Sequence, residues 1–424
     1  MTAAPELLPA ASPTPVVPPL PTAAQPPQGS RASVRFVLVL GALTAIGPLT
    51  IDTYLPAMPS IARDLAASES AVQATLTGIL LGMGLGQLLV GPLSDAIGRR
   101  KPLIMGIGIH ILASLLCAFA PSVELLTVGR VLQGLGNAAV AVVAMATVRD
   151  VFVGSAAATL LSRLMLVSGV APILAPSLGG AILRVTSWRG VFAVLAVSGI
   201  LLMTLALSAL RETLPVERRR TAAPADVLRT YRRLLQDRTF LGLVLIAGLG
   251  FATLFGYIGG SSFVLQNVYG LSAAEFALVF GANSIGLILM SQLNPHLVRR
   301  HGPRAVLRVA VMTAAVAALV LLASAWSGIG GLVGLLVPLW VILASCGLTF
   351  PNTPALALSR HGEAAGTAAA LLGAAQFAIG GLAAPVIGLL GSGSGIPMAA
   401  VMATTATLAA VVAARTLRVV VVRA

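Results

Sequence analysis

The chain has 424 residues, of which 57% are apolar and only 9% are charged. Soluble domains carry about 25% charged residues, so this composition excludes the soluble globular classes and indicates a polytopic membrane protein in the lipid bilayer. The net charge of +14 does not indicate a nucleic-acid partner, because the basic residues lie between apolar segments and not on a soluble domain.

The first 33 residues precede every apolar segment and are rich in Ala, Pro and Thr. A secretory signal needs a basic start and an apolar centre. This stretch has no basic residue before Arg31 and no long apolar run. We therefore interpret residues 1–33 as a disordered tail.

Twelve apolar segments follow, each long enough to cross a bilayer, which takes about 20 residues of helix. Each must be helical, because hydrocarbon cannot satisfy open backbone groups. The predicted class is an all-α membrane protein with two pseudo-symmetric six-helix bundles, 34–210 and 240–415. A basic linker, 211–239, joins them, and 416–424 form a second tail. The predicted spans are 35–58, 72–93, 102–120, 122–147, 159–184, 190–210, 240–265, 273–294, 305–325, 329–352, 364–391 and 395–414.

The Lys and Arg residues set the expected orientation of these spans. With the N-terminus inside, 23 of the 27 lie on the inner side, and only three lie outside, namely Arg63, Arg184 and Arg189. Both termini are therefore expected in the cytoplasm. The linker contains "RTYRRLL" (Arg229–Leu235), which fits either a short amphipathic helix on the inner membrane surface or a solvated basic loop.

Two spans hold charged residues that a bilayer disfavours. The first contains Asp52 in "LTIDTYLPAMP" (Leu49–Pro59), and the fourth contains Arg130. A charge in mid-membrane costs roughly 2.5–3.5 kcal/mol on insertion scales. Arg130, Gln133 and Asn137 are spaced to share one helix face. This polar stripe faces a bundle interior or a wet cavity, or else it forms a structural hydrogen-bond seam between helices.

Depth along the helices links Asp52 to Arg130. Asp52 lies about six residues from the outer end of its span and Arg130 about eight, so at 1.5 Å per residue they lie at a similar depth. We expect the two side chains to share one cavity and to interact directly or through water. A movement that changed their separation would change the proton affinity of Asp52, and proton coupling requires such a change.

Two stretches of ten residues repeat between the halves. "GPLSDAIGRR" (Gly91–Arg100) and "PHLVRRHGPR" (Pro295–Arg304) share a Leu, a Gly and an Arg at a constant offset of 204. Their equivalent positions predict a duplicated six-helix unit. Transporters with parallel repeats bind substrate at the repeat interface near mid-membrane.

The first of these stretches resembles the signature loop of the major facilitator superfamily, G-x-x-x-D-x-x-G-R-R/K. The matching residues are Gly91, Asp95, Gly98, Arg99 and Arg100. The resemblance implies a loop whose charge pairs latch the inner side shut in one conformation. Without the resemblance, the basic loop would be interpreted as an anchor on the cytoplasmic side of the membrane, in line with the positive-inside rule. Gly91 is expected to let a neighbouring helix approach closely. The stripe of the fourth span also resembles the family's R-x-x-Q-G motif.

The fifth span contains "GVAPILAPSLGG" (Gly169–Gly180), in which two prolines remove helix hydrogen-bond donors. It resembles the glycine/proline signature of the superfamily's proton-coupled antiporters; the residues are Gly169, Pro172, Pro176, Gly179 and Gly180. With "LTIDTYLPAMP", "ETLPVERRR" and "FVLQNVYGLS", the chain resembles the bicyclomycin-resistance (Bcr/CflA) branch of twelve-span drug:proton antiporters over about residues 35–415.

This resemblance implies a proton-coupled exporter of apolar or amphipathic small molecules in the bacterial inner membrane. It also implies alternating access by a monomer that draws on the proton gradient and needs no cofactor or metal. Asp52 and Arg130 are the candidate proton-coupling pair. Tyr54 is placed to be either an interface anchor or a gate. The candidate cavity residues are Tyr54, Gln133, Asn137, Tyr257, Asn283 and Gln376.

Three other functions compete with this interpretation. One is a proton-coupled or facilitated transporter of an endogenous metabolite, and the signature of the fifth span argues against its importing form. An ATP-driven pump needs the phosphate-binding loop G-x-x-x-x-G-K-[ST], which this sequence lacks. An enzyme is not expected, because no H-E-x-x-H pattern and no convincing Ser/His/Asp grouping at one depth occurs.

Overall fold

The structure, a computed structural model, describes residues 34–152, 154–219, 224–359, 361, 365–391 and 393–417. The predicted tail 1–33 and nearly all of 416–424 lie outside the described residues. Within the described residues every regular element is a helix, which confirms the predicted all-α class.

The first half contains seven helices. They are α1 (Val34–Asp52), α2 (Met58–Asp64), α3 (Glu69–Ile97), α4 (Arg100–Ala118), α5 (Val123–Val151), α6 (Gly154–Leu183) and α7 (Trp188–Ala209). A single 3₁₀ turn, Leu55–Ala57, follows α1, because Pro56 supplies a fixed φ but no N–H donor there.

A short surface helix in the linker, α8 (Pro224–Gln236), precedes the helices of the second half. Those helices are α9 (Arg238–Phe263), α10 (Ala273–His301), α11 (Pro303–Ser327), α12 (Gly331–Leu358), α13 (Ala365–Gly381), α14 (Ala383–Leu390) and α15 (Ile396–Thr416). By length and apolar character, eleven helical segments of the described chain can cross a membrane, and α6 adds a shorter apolar stretch, Val170–Leu183.

Small residues set how closely the helices pack. A Cβ added at Gly82 in α3 would lie 2.1 Å from the carbonyl oxygen of Val131, and one at Gly134 in α5 would lie 2.1 Å from that of Ile79. Only glycine allows this backbone contact, and such contacts replace the hydrophobic driving force that is missing between helices in lipid. The polar stripe of α5 is thereby held against its neighbours.

The two halves repeat each other in detail. The bounds of α3 and α10 differ by 204 residues at both ends. Each helix begins with a serine N-cap, Ser68 or Ser272, and ends at a glycine with positive φ, +96° at Gly98 and +77° at Gly302. The offset is the one found in the sequence, so the structure supports the predicted duplication.

The two ends of the bundle differ. At the far end, marked by Arg63 and Arg189, side chains of one half bond to backbone carbonyls of the other. The bonds are Ser262 Oγ to Leu55 (2.6 Å), Gln73 Nε2 to Gly259 (3.3 Å) and Thr77 Oγ1 to Gly381 (2.5 Å). At the basic end, marked by residues 99–101 and 299–304, an open vestibule separates the halves.

The linker is partly helical. Its helix α8 packs against α9 and α13 of the second half, so this part of the linker is helical, as the first of the two alternatives required; its position on the membrane surface stays a prediction. The start of the linker is held by the first half. There the Glu212 carboxylate accepts hydrogen bonds from the backbone N–H groups of Arg99 (2.8 Å) and Arg100 (3.2 Å), at the beginning of α4.

Candidate functional site

A cavity of about 360 Å³ lies between the two halves. Its walls come from α1, α3, α5 and α6 on one side and from α9, α10, α12 and α13 on the other. The second half contributes four phenylalanines, Phe251, Phe255, Phe280 and Phe377, and the first half contributes Met83 and Met145. Such a lining suits an apolar molecule that has few polar groups.

Asp52 is the only acidic residue among the described residues that line this cavity. It is the last residue of α1, and only 4% of it is exposed. Its Oδ1 atom has no hydrogen-bond partner in the described structure. A buried carboxylate oxygen without a partner costs free energy, so this site is equipped to receive a proton, water or a ligand.

Arg130 is fully buried behind Asp52. Its Nη1 atom donates to the carbonyl oxygen of Thr50 and to Gln133 Oε1, both at 2.9 Å. Its guanidinium carbon lies 4.1 Å from the centre of the Tyr54 ring, a cation–π contact. Thr50 precedes Asp52 by two residues, so this bond places the Arg130 guanidinium beside the backbone segment that carries Asp52. In the described structure, however, the two side chains form no ion pair.

The other two residues of the polar stripe on α5, Gln133 and Asn137, have different surroundings. Gln133 is buried and donates to Ser114 Oγ at 2.8 Å, so it forms a structural seam with α4. Asn137 lines the cavity, and neither polar atom of its side chain has a partner. Tyr54 is buried beneath Arg130 and hydrogen-bonds Thr75 at 3.2 Å. It is neither a surface anchor nor part of the cavity wall in this conformation.

The candidates of the second half lie behind the cavity wall. Tyr257 is fully buried and stacks on Phe280, with ring centres 5.1 Å apart. Asn283 Nδ2 donates to the Tyr257 hydroxyl at 3.4 Å. Gln376 on α13 is half-buried. None of these three polar residues is among the described residues that line the cavity.

The glycine/proline signature lies within α6 and contacts both halves. Pro172 lines the cavity and Pro176 is buried nearby. A Cβ at Gly179 would lie 1.9 Å from the carbonyl oxygen of Thr53, next to Asp52, and one at Gly180 would lie 3.3 Å from that of Ala273 in α10. Gly169 belongs to the same helix. The signature thus fits α6 tightly against the turn that follows Asp52.

The signature loop forms a charge network at the basic end. Arg99 Nη1 contacts Asp95 Oδ1 at 2.5 Å and Ser94 Oγ at 2.8 Å, and Arg99 Nε contacts Asp150 Oδ2 at 2.8 Å. Arg100 is exposed. The positive φ of Gly98 makes the turn that brings Arg99 back to Asp95.

Gly91 differs from its expected role. A Cβ added there would meet no heavy atom within 4 Å, so no neighbouring helix packs closely on it in this conformation. It lines the vestibule instead.

The vestibule measures about 620 Å³ and joins the central cavity, since Gln87, Ala141 and Met145 line both. Gln87 and Tyr231, the latter on α8, were not singled out by the sequence analysis. A glutamine in the middle of the apolar second span was the available sign for Gln87, which packs against Gly373 across the interface. The cavity is therefore reached from the basic end, while polar bonds between the halves close the far end.

Two repeated helical halves enclose a mainly apolar cavity with one buried carboxylate, and the cavity opens at one end. This combination defines a membrane transporter. The sequence matches the Major Facilitator Superfamily over residues 40–385, and the chain belongs to that family. It is a multi-pass protein of the bacterial inner membrane, and its family comprises transporters rather than enzymes.

Curated relatives agree with the predicted branch. The chain is 39% identical to the MFS-type transporter YdgK of Bacillus subtilis strain 168, with 88% of this chain and 93% of the relative covered. It is 30% identical to a bicyclomycin resistance protein homolog of Haemophilus influenzae, with 87% and 92% covered. It is 31% identical to the multidrug resistance protein MdtL of Escherichia fergusonii, with 81% and 85% covered. The predicted superfamily and branch are confirmed.

Solved structures share the fold. The xylose transporter XylE from E. coli, in a partially occluded inward-open conformation, aligns with a TM-score of 0.70 at 15% identity, covering 90% of this chain and 97% of XylE. A peptide transporter POT aligns with a TM-score of 0.74 at 13% identity, covering 92% and 95%. At such identities the likeness concerns the fold alone.

Proposed function

We propose that this protein exports apolar or amphipathic small molecules, drugs among them, in exchange for protons. The observation that carries the proposal is Asp52, the single acid of an apolar cavity lined by phenylalanines. Relatives named for multidrug and bicyclomycin resistance support the choice of cargo. The proton gradient supplies the energy without a cofactor, and a monomer suffices because one chain forms the whole cavity.

The basic end faces the cytoplasm in this proposal, as the distribution of Lys and Arg favours. The conformation described here then receives cargo from inside. Rocking of the two repeated halves about the cavity would open the far end and close the vestibule. The bonds of Ser262, Gln73 and Thr77 would break in that step, and Arg99, Asp95 and Asp150 would secure the basic end.

Asp52 is the proton carrier in this cycle. Its charge and that of Arg130 lie in one poorly solvated region, where charges interact more strongly than in water. Proton binding from outside removes the negative charge, leaves Arg130 unbalanced and so changes the relative free energies of the two conformations. Release of the proton into the vestibule restores the carboxylate, after which cargo occupies the cavity.

The Asp52→Asn substitution tests the carrier role. In proteoliposomes with an imposed pH gradient, we expect the variant to lose proton-driven efflux of ethidium, a fluorescent lipophilic cation, by at least about tenfold relative to wild type, since the proton-binding group is gone. Glu124→Gln, at an exposed acid in the first turn of α5, is the matched control and should transport normally. Ethidium-driven proton movement retained by Asp52→Asn would overturn the role.

The cargo class needs its own measurement. Cells that express wild type or Asp52→Asn should be compared for accumulation of a panel of antibiotics and cellular metabolites, with and without an uncoupler. Drug export is supported if only the wild-type cells keep lipophilic drugs out and if the uncoupler abolishes this exclusion. The same pattern for a metabolite alone would favour the alternative, a transporter of an endogenous compound.

A further inference from the structure

His110 is a buried titratable group that the proposed carrier pair leaves unused. It lies in the middle of α4, which packs against α5 and α7, and only 1% of it is exposed. The ring faces the Leu195 carbonyl of α7 and the Asn137 amide, but neither ring nitrogen makes a hydrogen bond of regular geometry in the described structure. A histidine that served only as core packing would normally bond through at least one nitrogen.

The register of α4 and α5 places His110 beside the cavity. Ser114 accepts a hydrogen bond from Gln133 at 2.8 Å, and the two consecutive helices are antiparallel. One turn back along α4 leads to His110, and one turn forward along α5 leads to Asn137. The imidazole does lie beside the Asn137 amide, and Asn137 lines the cavity together with Asp52.

Two glycines hold the imidazole in this position. A Cβ at Gly136 would lie 2.9 Å from the backbone nitrogen of His110, and one at Gly199 in α7 would lie 3.0 Å from its Cδ2. A larger residue at 199 would fill the space beside the ring, and one at 136 would clash with the backbone and Cβ of His110. This fit fixes the ring against the polar stripe of α5.

Unpartnered polar atoms occur on four residues of this region, from His110 to Asp52. They are the two ring nitrogens of His110, Asn137 Nδ2 and Oδ1, Arg130 Nε and Nη2, and Asp52 Oδ1. Buried polar atoms are satisfied by protein or by ordered water, and a polar pocket is where buried water collects. A short chain of water molecules that passes Asn137 would satisfy these atoms together.

The other surroundings of His110 are almost free of charge. Arg130 on α5 is the charged group that acts on it. From α7 it meets the Leu195 carbonyl and Gly199. The acids of α3, Glu69 and Asp95, lie at the ends of that helix.

We propose that His110 is a second proton-binding group, joined to Asp52 by water beside Asn137, so that two protons move in each transport cycle. Imidazole is the side chain whose unperturbed proton affinity lies nearest to neutral pH. The proton adds to a free ring nitrogen from the adjoining water and returns by the same route, and no covalent bond to carbon changes. This inference rests on the proposed proton-coupled export.

The number of protons per cargo molecule tests the inference. Proteoliposomes held at zero voltage with potassium and valinomycin receive a pH difference of one unit, and the ethidium gradient at which net flow stops is measured. Two protons balance an ethidium gradient of about 100-fold, and one proton balances about tenfold. We expect about 100-fold for wild type and for Cys117→Ala, a control on the same helix, and about tenfold for His110→Gln.

Each outcome has a distinct meaning. A wild type that shows no ethidium-driven proton flux refutes the proposed export itself, whereas a wild-type balance near tenfold, or an unchanged ratio in His110→Gln, refutes only the role of His110. If His110→Gln fails to transport, ¹⁵N-histidine NMR of the full chain decides. The resonance missing from that variant should change with pH in the wild type and shift its midpoint in Asp52→Asn, and a resonance that stays constant in both proteins would overturn the inference.

Discussion

The two halves share a fold but use their buried polar groups differently. In the first half, Asp52, His110, Arg130 and Asn137 keep polar atoms without partners. In the described part of the second half, Ser261 Oγ is the one buried side-chain atom without a partner, and several buried polar groups pair with each other. The pairs are Asn352 with Asn294 (2.6 Å), Thr253 with Thr405 (2.9 Å) and Asn283 with Tyr257 (3.4 Å).

This difference indicates that the buried polar groups of the first half serve proton binding, whereas those of the second half mainly fix helix positions. An unpartnered buried polar atom costs about 1–3 kcal/mol, so a set of them on one side of the cavity indicates a functional requirement. Paired groups fix helix positions and leave little capacity to bind protons. The second half instead contributes aromatic rings to the cavity wall, and we infer that it mainly sets the fit of the cargo.

The largest effect is expected from Arg130→Lys. Lysine keeps the charge but loses the planar contact with Tyr54 and at least one of the bonds to Thr50 and Gln133. Hydrogen bonds to charged groups contribute about 1.5–3 kcal/mol, so proton-driven ethidium transport should fall about 10- to 100-fold.

Asn352→Ala in the second half provides the comparison for that variant. It removes a paired amide and should lower Tm while leaving the ratio of protons to cargo unchanged. An equal loss of coupling in Asn352→Ala would erase the distinction between the halves.

A smaller effect is expected from Phe251→Leu in the second half. Phe251 packs against Phe350 (4.9 Å between ring centres) and Phe377 (5.5 Å) at the cavity, and aromatic pairs contribute about 0.5–1.5 kcal/mol. Ethidium affinity, measured by fluorescence titration, should weaken about two- to tenfold. The proton-to-cargo ratio should stay at the wild-type value; a change in that ratio would place coupling in both halves.

The smallest effect is expected from Glu212→Gln, a carboxylate outside the buried set. Partial burial favours its neutral form, but N–H groups of Leu214, Arg99 and Arg100, with the Arg219 charge, hold the pKa of Glu212 below its usual range. A lowered folded-state pKa stabilises the protein above the ordinary pKa of the carboxyl, and that stabilisation is lost as pH falls through the lowered value.

Thermal unfolding at several pH values measures this contribution. At pH 7 the Glu212→Gln variant should be less stable by about 1 kcal/mol, as for the loss of a helix cap. Its Tm difference from wild type should shrink as the pH falls below about 4.5, with coupling unchanged. A Tm difference that is constant across this range would mean that the ionised carboxylate is not what stabilises the turn.

Sequence patterns predicted the helices well. They also placed Asp52 and Arg130 at one depth, but Arg130 is not among the described residues that line the cavity that the two were expected to share. Membrane spans leave a strong signal because their backbone must be helical, and equal depth follows from counting residues. The groups that Arg130 contacts directly were not predictable from the sequence. Tyr54 is buried beneath Arg130 because of how α1 and α5 cross, and no spacing along one chain segment reports such a crossing.

Other features lacked a local signal altogether. His110 is one polar residue in an apolar span, and its position beside Asn137 follows from the register of α4 against α5. Glu212 caps α4 from 112 residues away, so no local sequence pattern suggests the pairing. Gly91 fits a close-packing pattern, yet it faces an open vestibule in this conformation.

The turns at Gly98 and Gly302 imply different mutational tolerance in two copies of one structural element. Both glycines have positive φ, so the backbone alone disfavours most side chains at either position. At Gly98 an added Cβ would also lie 2.5 Å from the Glu212 carboxylate, whereas at Gly302 it would meet nothing within 4 Å. With ψ of 168° at Gly98 and 155° at Gly302, both lie in a region that is essentially restricted to glycine, so a side chain is strained at either position and meets the Glu212 carboxylate as well at 98. The turn at 98 is therefore constrained both by its backbone and by its partner Glu212, whereas the turn at 302 is constrained by its backbone alone.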